Sequence, residues 1–185
     1  MSNTILWRRI DLPGHDACTL RQLDDGWRLE GTALFALEGN PCNLRYRVEC
    51  DRSWKSRSGR VDGWMGDEPV RLEITRTAGF AWSLNGIAQK GADGCADLDL
   101  GFTPSTNLFQ IRRLALNPGE AADAPAAWLP FPAMELQRLE HRYHLLEPNR
   151  YDYDASGVGY TGILETTEAG FVTVYPELWE AECVG

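Results

Sequence analysis

The 185-residue sequence contains no run of about 20 apolar residues, so no stretch of it reads as a bilayer-crossing helix. No apolar run follows a basic N-terminal start, and no secretory leader is expected. Its five cysteines (Cys18, Cys42, Cys50, Cys95, Cys183) are odd in number and form no C-x-x-C pair. Neither a zinc ribbon nor a disulfide framework is expected, which fits a reduced, cytoplasmic protein. Basic residues are in deficit, with 18 Lys and Arg against 27 Asp and Glu, a formal charge of -9. That balance excludes a nucleic-acid partner, which needs a basic surface, and disfavours anionic membranes. There is no G-x-S-x-G and no Gly-rich phosphate loop, so no catalytic nucleophile is assigned and no cofactor is expected. No internal repeat, low-complexity tract or linker divides residues 1–185, and a single domain is expected.

What the chain does have is alternation. Leu44, Tyr46, Val48 and Cys50 recur at period two, with Asn43, Arg45, Arg47 and Glu49 between them. Val70, Leu72 and Ile74 repeat the pattern against Arg71, Glu73 and Thr75. Such runs are half-buried strands. Asp25-Gly26 and Asn85-Gly86 are hairpin-turn dipeptides. Further strands are expected over 5–10, 19–24, 27–37, 54–64 (interrupted at Gly59), 80–84, 87–89, 151–154, 160–165 and 171–175. Residues 117–125 read as a loop and 128–132 as extended. Residues 134–147 fit either period. Strand after strand with tight turns predicts an antiparallel sheet in a mainly β protein.

One stretch breaks the pattern. Asp97 and Asp99 alternate with Leu98 and Leu100, a turn follows, and Leu108, Ile111 and Leu114 then recur at spacings of three and four. That predicts a helix over about 105–114, with Ser105, Thr106 or Asn107 as its N-cap.

The string from Asp97 to Leu114, D-x-D-L-x-x-T-P-x-T-N-x-x-x-I-R-R-L, is long enough to be specific. With Leu6-Trp7-Arg8-Arg9, Arg45-Tyr46-Arg47-Val48, Asp51, Trp54, Arg57, Arg142-Tyr143, Tyr151-x-Tyr153 and Tyr175-Pro-Glu-Leu-Trp179, it resembles a bacterial glycolipid-binding family first catalogued as a domain of unknown function. The resemblance covers almost the whole chain. It implies a large antiparallel sheet wrapped as an open, barrel-like roll around one central helix, assembled as a homodimer. It also implies an acidic pocket. One departure is Phe109-Gln110, where the family has Leu-Pro. Gln suits a helix interior better, so a helix that starts earlier or runs straighter is expected.

The residues that fit such a pocket are few. Asp97 and Asp99 project from one face of an extended strand, about 6.5–7 Å apart. Two acids so placed repel, and one holds its proton more tightly. They suit sugar hydroxyls, or an acid–base pair at a glycosidic bond; as plain structure, they would pair with Arg112 or Arg113 and cap loop amides. Thr103 and Asn107 are turn and cap residues beside a helix N-terminus, where the adjacent acids oppose an anionic ligand and favour a neutral, hydroxyl-rich one. Trp54, Tyr143 and Tyr153, like Trp64, Trp82 and Tyr151, supply either a sugar-stacking surface or core packing. His141 and His144 with Glu140 share a face only on a helix, and the strand reading that the resemblance favours leaves no metal site.

The expected function is binding of a glycolipid or other sugar-bearing amphiphile, with a role in glycolipid or cell-envelope metabolism. Two alternatives stand beside it: a carbohydrate-active enzyme using the paired aspartates, and a structural or regulatory dimer without a small ligand.

Overall fold

The computed structural model describes residues 3–185. Eight strands follow one another as a meander: β1 (Thr4–Arg9), β2 (Gly14–Leu23), β3 (Gly26–Leu37), β4 (Asn40–Asp51), β5 (Ser56–Met65), β6 (Glu68–Arg76), β7 (Trp82–Leu84) and β8 (Ile87–Ala88). After β9 (Asp97–Leu100), α1 (Asn107–Leu114), β10 (Ala121–Asp123), β11 (Ala126–Leu129) and β12 (Gln137–Leu139), a second meander follows. It comprises β13 (Arg142–Glu147), β14 (Arg150–Ala155), β15 (Tyr160–Thr166), β16 (Val172–Tyr175) and β17 (Trp179–Val184). β1 pairs with β17, joining both meanders into one 14-stranded antiparallel sheet edged by β10 and β8. The sheet does not close on itself; it is an open roll with α1 on its inner side.

The alternation read from the sequence sets the faces. Along β4, Cys42, Leu44, Tyr46, Val48 and Cys50 are buried, while Arg45 and Arg47 are exposed. The predicted interruption at Gly59 does not occur: β5 runs through it. A Cβ there would stand 2.4 Å from Leu98 Cδ2, so the bare glycine admits β9 against the sheet. Trp54 lies outside β5, in a turn with φ 63°. The ambiguous 134–147 stretch is two strands, β12 and β13, and the expected loop at 117–125 contains β10.

β9, β11 and β12 form a small second sheet in which β9 and β11 run parallel. This departs from the all-antiparallel expectation. Parallel neighbours need a crossover, and α1 lies within it. The helix is shorter at its start than expected, beginning at Asn107. Ser105 is held in the preceding turn, its backbone N–H donating to Thr103 Oγ1 at 3.1 Å. It ends where Ala115 turns left-handed (φ 45°) and donates its N–H to Ile111 O. Leu108 and Phe109 pack into the apolar core beneath β1–β8, and Ile111 into a second cluster beneath β13–β16. The helix thus wedges between the two halves of the roll.

Candidate functional site

All four residues of β9 are buried, including both acids. Strand alternation puts both acids on one face of β9 and both leucines on the other, and both faces are covered: Leu98 lies against Gly59 of the large sheet and Asp97 against Arg113 of α1, with β11 paired along the edge. Arg113, in the last turn of α1, reaches Asp97. Its Nε lies 3.1 and 3.0 Å from Oδ1 and Oδ2, and its Nη2 lies 2.5 Å from Oδ2. Burial raises the Asp97 pKa, and the guanidinium opposes this. A fork that donates to both oxygens requires the charged carboxylate, so the pair is a buried ion pair.

Asp99 is held otherwise. Its Oδ1 accepts one bond, from Thr106 Oγ1 at 3.2 Å, and among the described residues no cation contacts it. Burial, with the Asp97 charge adding to it, raises its pKa to about 6, against the Thr106 hydroxyl. Thr106 is the N-cap residue, but its side chain caps nothing. It bridges Asp99 and the backbone N–H of Leu100, so the helix start is tied to β9.

Facing α1 is a tyrosine wall. Tyr143 and Tyr153 sit opposite each other on β13 and β14, ring centroids 4.9 Å apart. Burial raises both phenols' pKa. Tyr143 Oη lies 2.6 Å from Asn107 Oδ1 and 2.8 Å from the Gln110 side-chain amide. Asn107 Nδ2 already donates to Pro104 O, so Asn107 offers its oxygen and takes the single phenolic proton. Gln110 then meets the phenol with its NH2 group. Either way round, one polar atom of this buried amide has no partner. His141 Nδ1 lies 2.9 Å from Tyr153 Oη, while its Nε2 is buried without a partner. Burial lowers the His141 pKa to about 4, so the ring is neutral. Tyr175 packs on Tyr153 and Tyr160, and the Asp99 charge adds to the upward push of burial on its phenol.

The structure therefore brings together Asp97, Asp99, Asn107, Arg113, Tyr143 and Tyr153 of the residues singled out in the sequence. Tyr151 packs on Tyr143, ring centroids 6.2 Å apart, while Thr103, Arg112 and Trp54 lie elsewhere. Thr103 turns away to a cluster with Asp16, Tyr46 and Ser105: Tyr46 Oη lies 2.9 Å from Asp16 Oδ2, and Thr103 Oγ1 donates to the same carboxylate. Asp16 is buried with hydroxyl donors and no cation, and burial raises its pKa to about 7. Arg112 lies over the Trp54 ring at 5.1 Å, with a guanidinium N–H 3.5 Å from Glu168 O, so it does not join the acids. Gln110, His141, Thr106 and Tyr175 were not singled out as ligand contacts. His141 shares its alternation with Tyr143 and Leu145, and that pattern places it on the inner face. The sequence marks Gln110 only as a helix-interior residue where the family has Pro, and nothing in it marks Asp16. Among the described residues, no group of three or more His, Cys, Asp or Glu is placed to hold a metal.

A charged carboxylate, a neutral imidazole, a side-chain amide and several phenols converge here. Such groups accept from and donate to hydroxyls. No curated protein matches the chain. A crystal structure of a DUF1089 family protein from Pseudomonas aeruginosa is 30% identical, covers 89% of this chain and 91% of its own, and superposes with a TM-score of 0.78. The family model described as "Putative glycolipid-binding" matches residues 4–181, and the chain belongs to that family.

Proposed function

We propose that the protein binds the neutral, hydroxyl-rich headgroup of a glycolipid at the polar cluster between α1 and the tyrosine wall. The observation that carries this reading is that Gln110 and His141, each bonded to a tyrosine of the wall, both keep a buried polar atom without a partner among the described residues, while Asp99 holds a single hydrogen bond. Buried polar groups are nearly always satisfied, so an orphan calls for a water, an ion or a ligand. Asp99 accepts sugar hydroxyls, with Gln110, His141, Tyr153 and Tyr175 around it. Asp97 and Arg113 fix β9 against α1, and Asn107 orients Tyr143. The half-buried Leu114, Leu116, Trp128 and Tyr160 edge the same cluster and give acyl chains an apolar rim.

The paired-acid enzyme reading has less support, because Arg113 occupies both oxygens of Asp97 and leaves Asp99 as the one carboxylate for chemistry. A handling role in glycolipid or envelope metabolism goes with the ligand class, and the five free cysteines fit a cytoplasmic setting. Homodimer assembly is carried over as an expectation of the family resemblance.

The test is titration of the protein with a glycosyl diacylglycerol in mixed micelles, beside the same diacylglycerol without its sugar. Saturable binding of the glycosylated lipid alone, lost in Asp99→Asn, is the expected result. Equal binding of both lipids, or no effect of Asp99→Asn, overturns the site. Sedimentation of the wild-type protein checks the dimer.

A further inference from the structure

On the outer face of the sheet, turned away from α1, lies a groove of about 760 Å³. Its floor is one rank of in-register residues. Leu6 faces Ala17, Ala17 faces Thr32, Thr32 faces Arg45, and Arg45 faces Asp62. The rank is apolar at β1 and β2 and cationic at β4. The neighbouring basic residues are committed. Arg47 places Nε and Nη2 2.8 and 2.7 Å from Glu30 Oε1. Arg60 closes on Asp62 at 2.5 and 3.1 Å. Asp62, the acid opposite Arg45, is thereby taken. Arg45 makes no ion pair or side-chain hydrogen bond among the described residues, and neither does the Thr32 hydroxyl beside it.

An exposed arginine on an acidic protein is ordinary. One that lines a ligand-sized groove, whose facing acid is held by another arginine and whose flank is a free hydroxyl, is a binding arrangement. Guanidinium with hydroxyl suits a carboxylate or phosphate. From Arg45 to Leu6 the floor crosses three strand spacings, about 14 Å, over small and apolar side chains. The ligand that fits carries one anionic end and an apolar body. This chemistry is the opposite of that at Asp99, where a buried carboxylate repels anions.

We propose that this groove is a second, independent site that takes an amphipathic monoanion, its carboxylate or phosphate on Arg45 and Thr32 and its apolar body along Ala17 and Leu6. A fatty acid and an alkyl phosphate share this chemistry.

Calorimetric titration with dodecanoate and with decyl phosphate tests the site, with decyl maltoside as the neutral comparison. Either anion should bind saturably, and which of the two binds more tightly identifies the head. Arg45→Gln should weaken that binding about tenfold or more, the effect of losing a charge-assisted bond. Ala17→Trp, an outward-facing substitution that fills the floor, should abolish it. Asp99→Asn should leave it unchanged, so failure here is distinct from failure of the headgroup site. Absence of saturable binding, or binding that survives both groove variants, overturns the proposal. So does a change in sedimentation of Arg45→Gln without a change in affinity, which would make the groove an interface between copies.

Discussion

Arg113 holds Asp97 through two nitrogens, from the last turn of a helix to the first residue of a strand 16 positions earlier. The Asp97 side chain has no solvent exposure and Arg113 keeps 20%. Removing the cation would leave a buried carboxylate uncompensated.

Arg113→Gln is therefore expected to cost about 3–5 kcal/mol in urea unfolding, the usual result of breaking a buried pair on one side. Combining it with Asp97→Asn should recover much of that loss. If the double variant is as unstable as the sum of the singles, the pair is not coupled.

Asp99→Asn separates binding from stability. The wild-type carboxylate is buried with one hydrogen bond, and removing its charge should leave stability at neutral pH unchanged or raised by about 1–3 kcal/mol. Glycolipid binding should fall in the same protein. A loss of stability at neutral pH would mean that Asp99 holds the fold together.

The pH profile should carry two opposed limbs. Asp16 and Asp99 have folded pKa values of about 7 and about 6 against 3.8 for the free group. The folded chain keeps protons there that the unfolded chain has released. Their contribution is full below about pH 4 and is lost as pH rises through 6 and 7, at most about 3–4 kcal/mol each. His141 runs the other way. Its pKa falls from 6.5 to about 4, so its contribution is full above pH 6.5 and is lost as pH drops toward 4. Between about pH 4 and 6 the two carboxyls outweigh the one imidazole, so the three groups together should lower urea midpoints as pH rises, with His141 offsetting about half of the loss. Asp16→Asn should flatten the alkaline limb, and an alkaline limb unchanged in that variant would remove Asp16 as its cause.

Gly59→Ala should place a methyl group against Leu98 and cost about 1–3 kcal/mol. The loss should be smaller in a Leu98→Ala background, where the space is free. Additive losses in a double-mutant cycle would show that β9 does not press on Gly59.

The strands of the first meander were legible because each has one wet and one dry face, which writes period two directly into the residues. The helix was legible for the same reason at its own period. Its pairing with Asp97 followed from the cost of burying an arginine alone. β9 and β11 were harder. Both are short and enclosed on two sides, and no spacing in a sequence states that two strands run parallel. Thr103 was misplaced because its partner, Asp16, is distant in sequence and has no local pattern. Trp54 carries a positive φ that its residue type does not announce. The tyrosines were ambiguous in principle, since a phenol packed in a core and one facing a sugar have the same alternation.

The junction of β1 with β17 has a consequence for how the molecule forms. Within each meander, neighbouring strands are mostly hairpins whose partners meet over short loops. The ladder from Ile5–Val184 to Arg9–Trp179, reinforced by Trp7 Nε1 donating to Val172 O at 2.6 Å, joins residues more than 160 positions apart. Closing a loop of that length is the largest entropic step in the chain. Pairing of β1 with β17 is therefore expected to form after the local hairpins on either side of it.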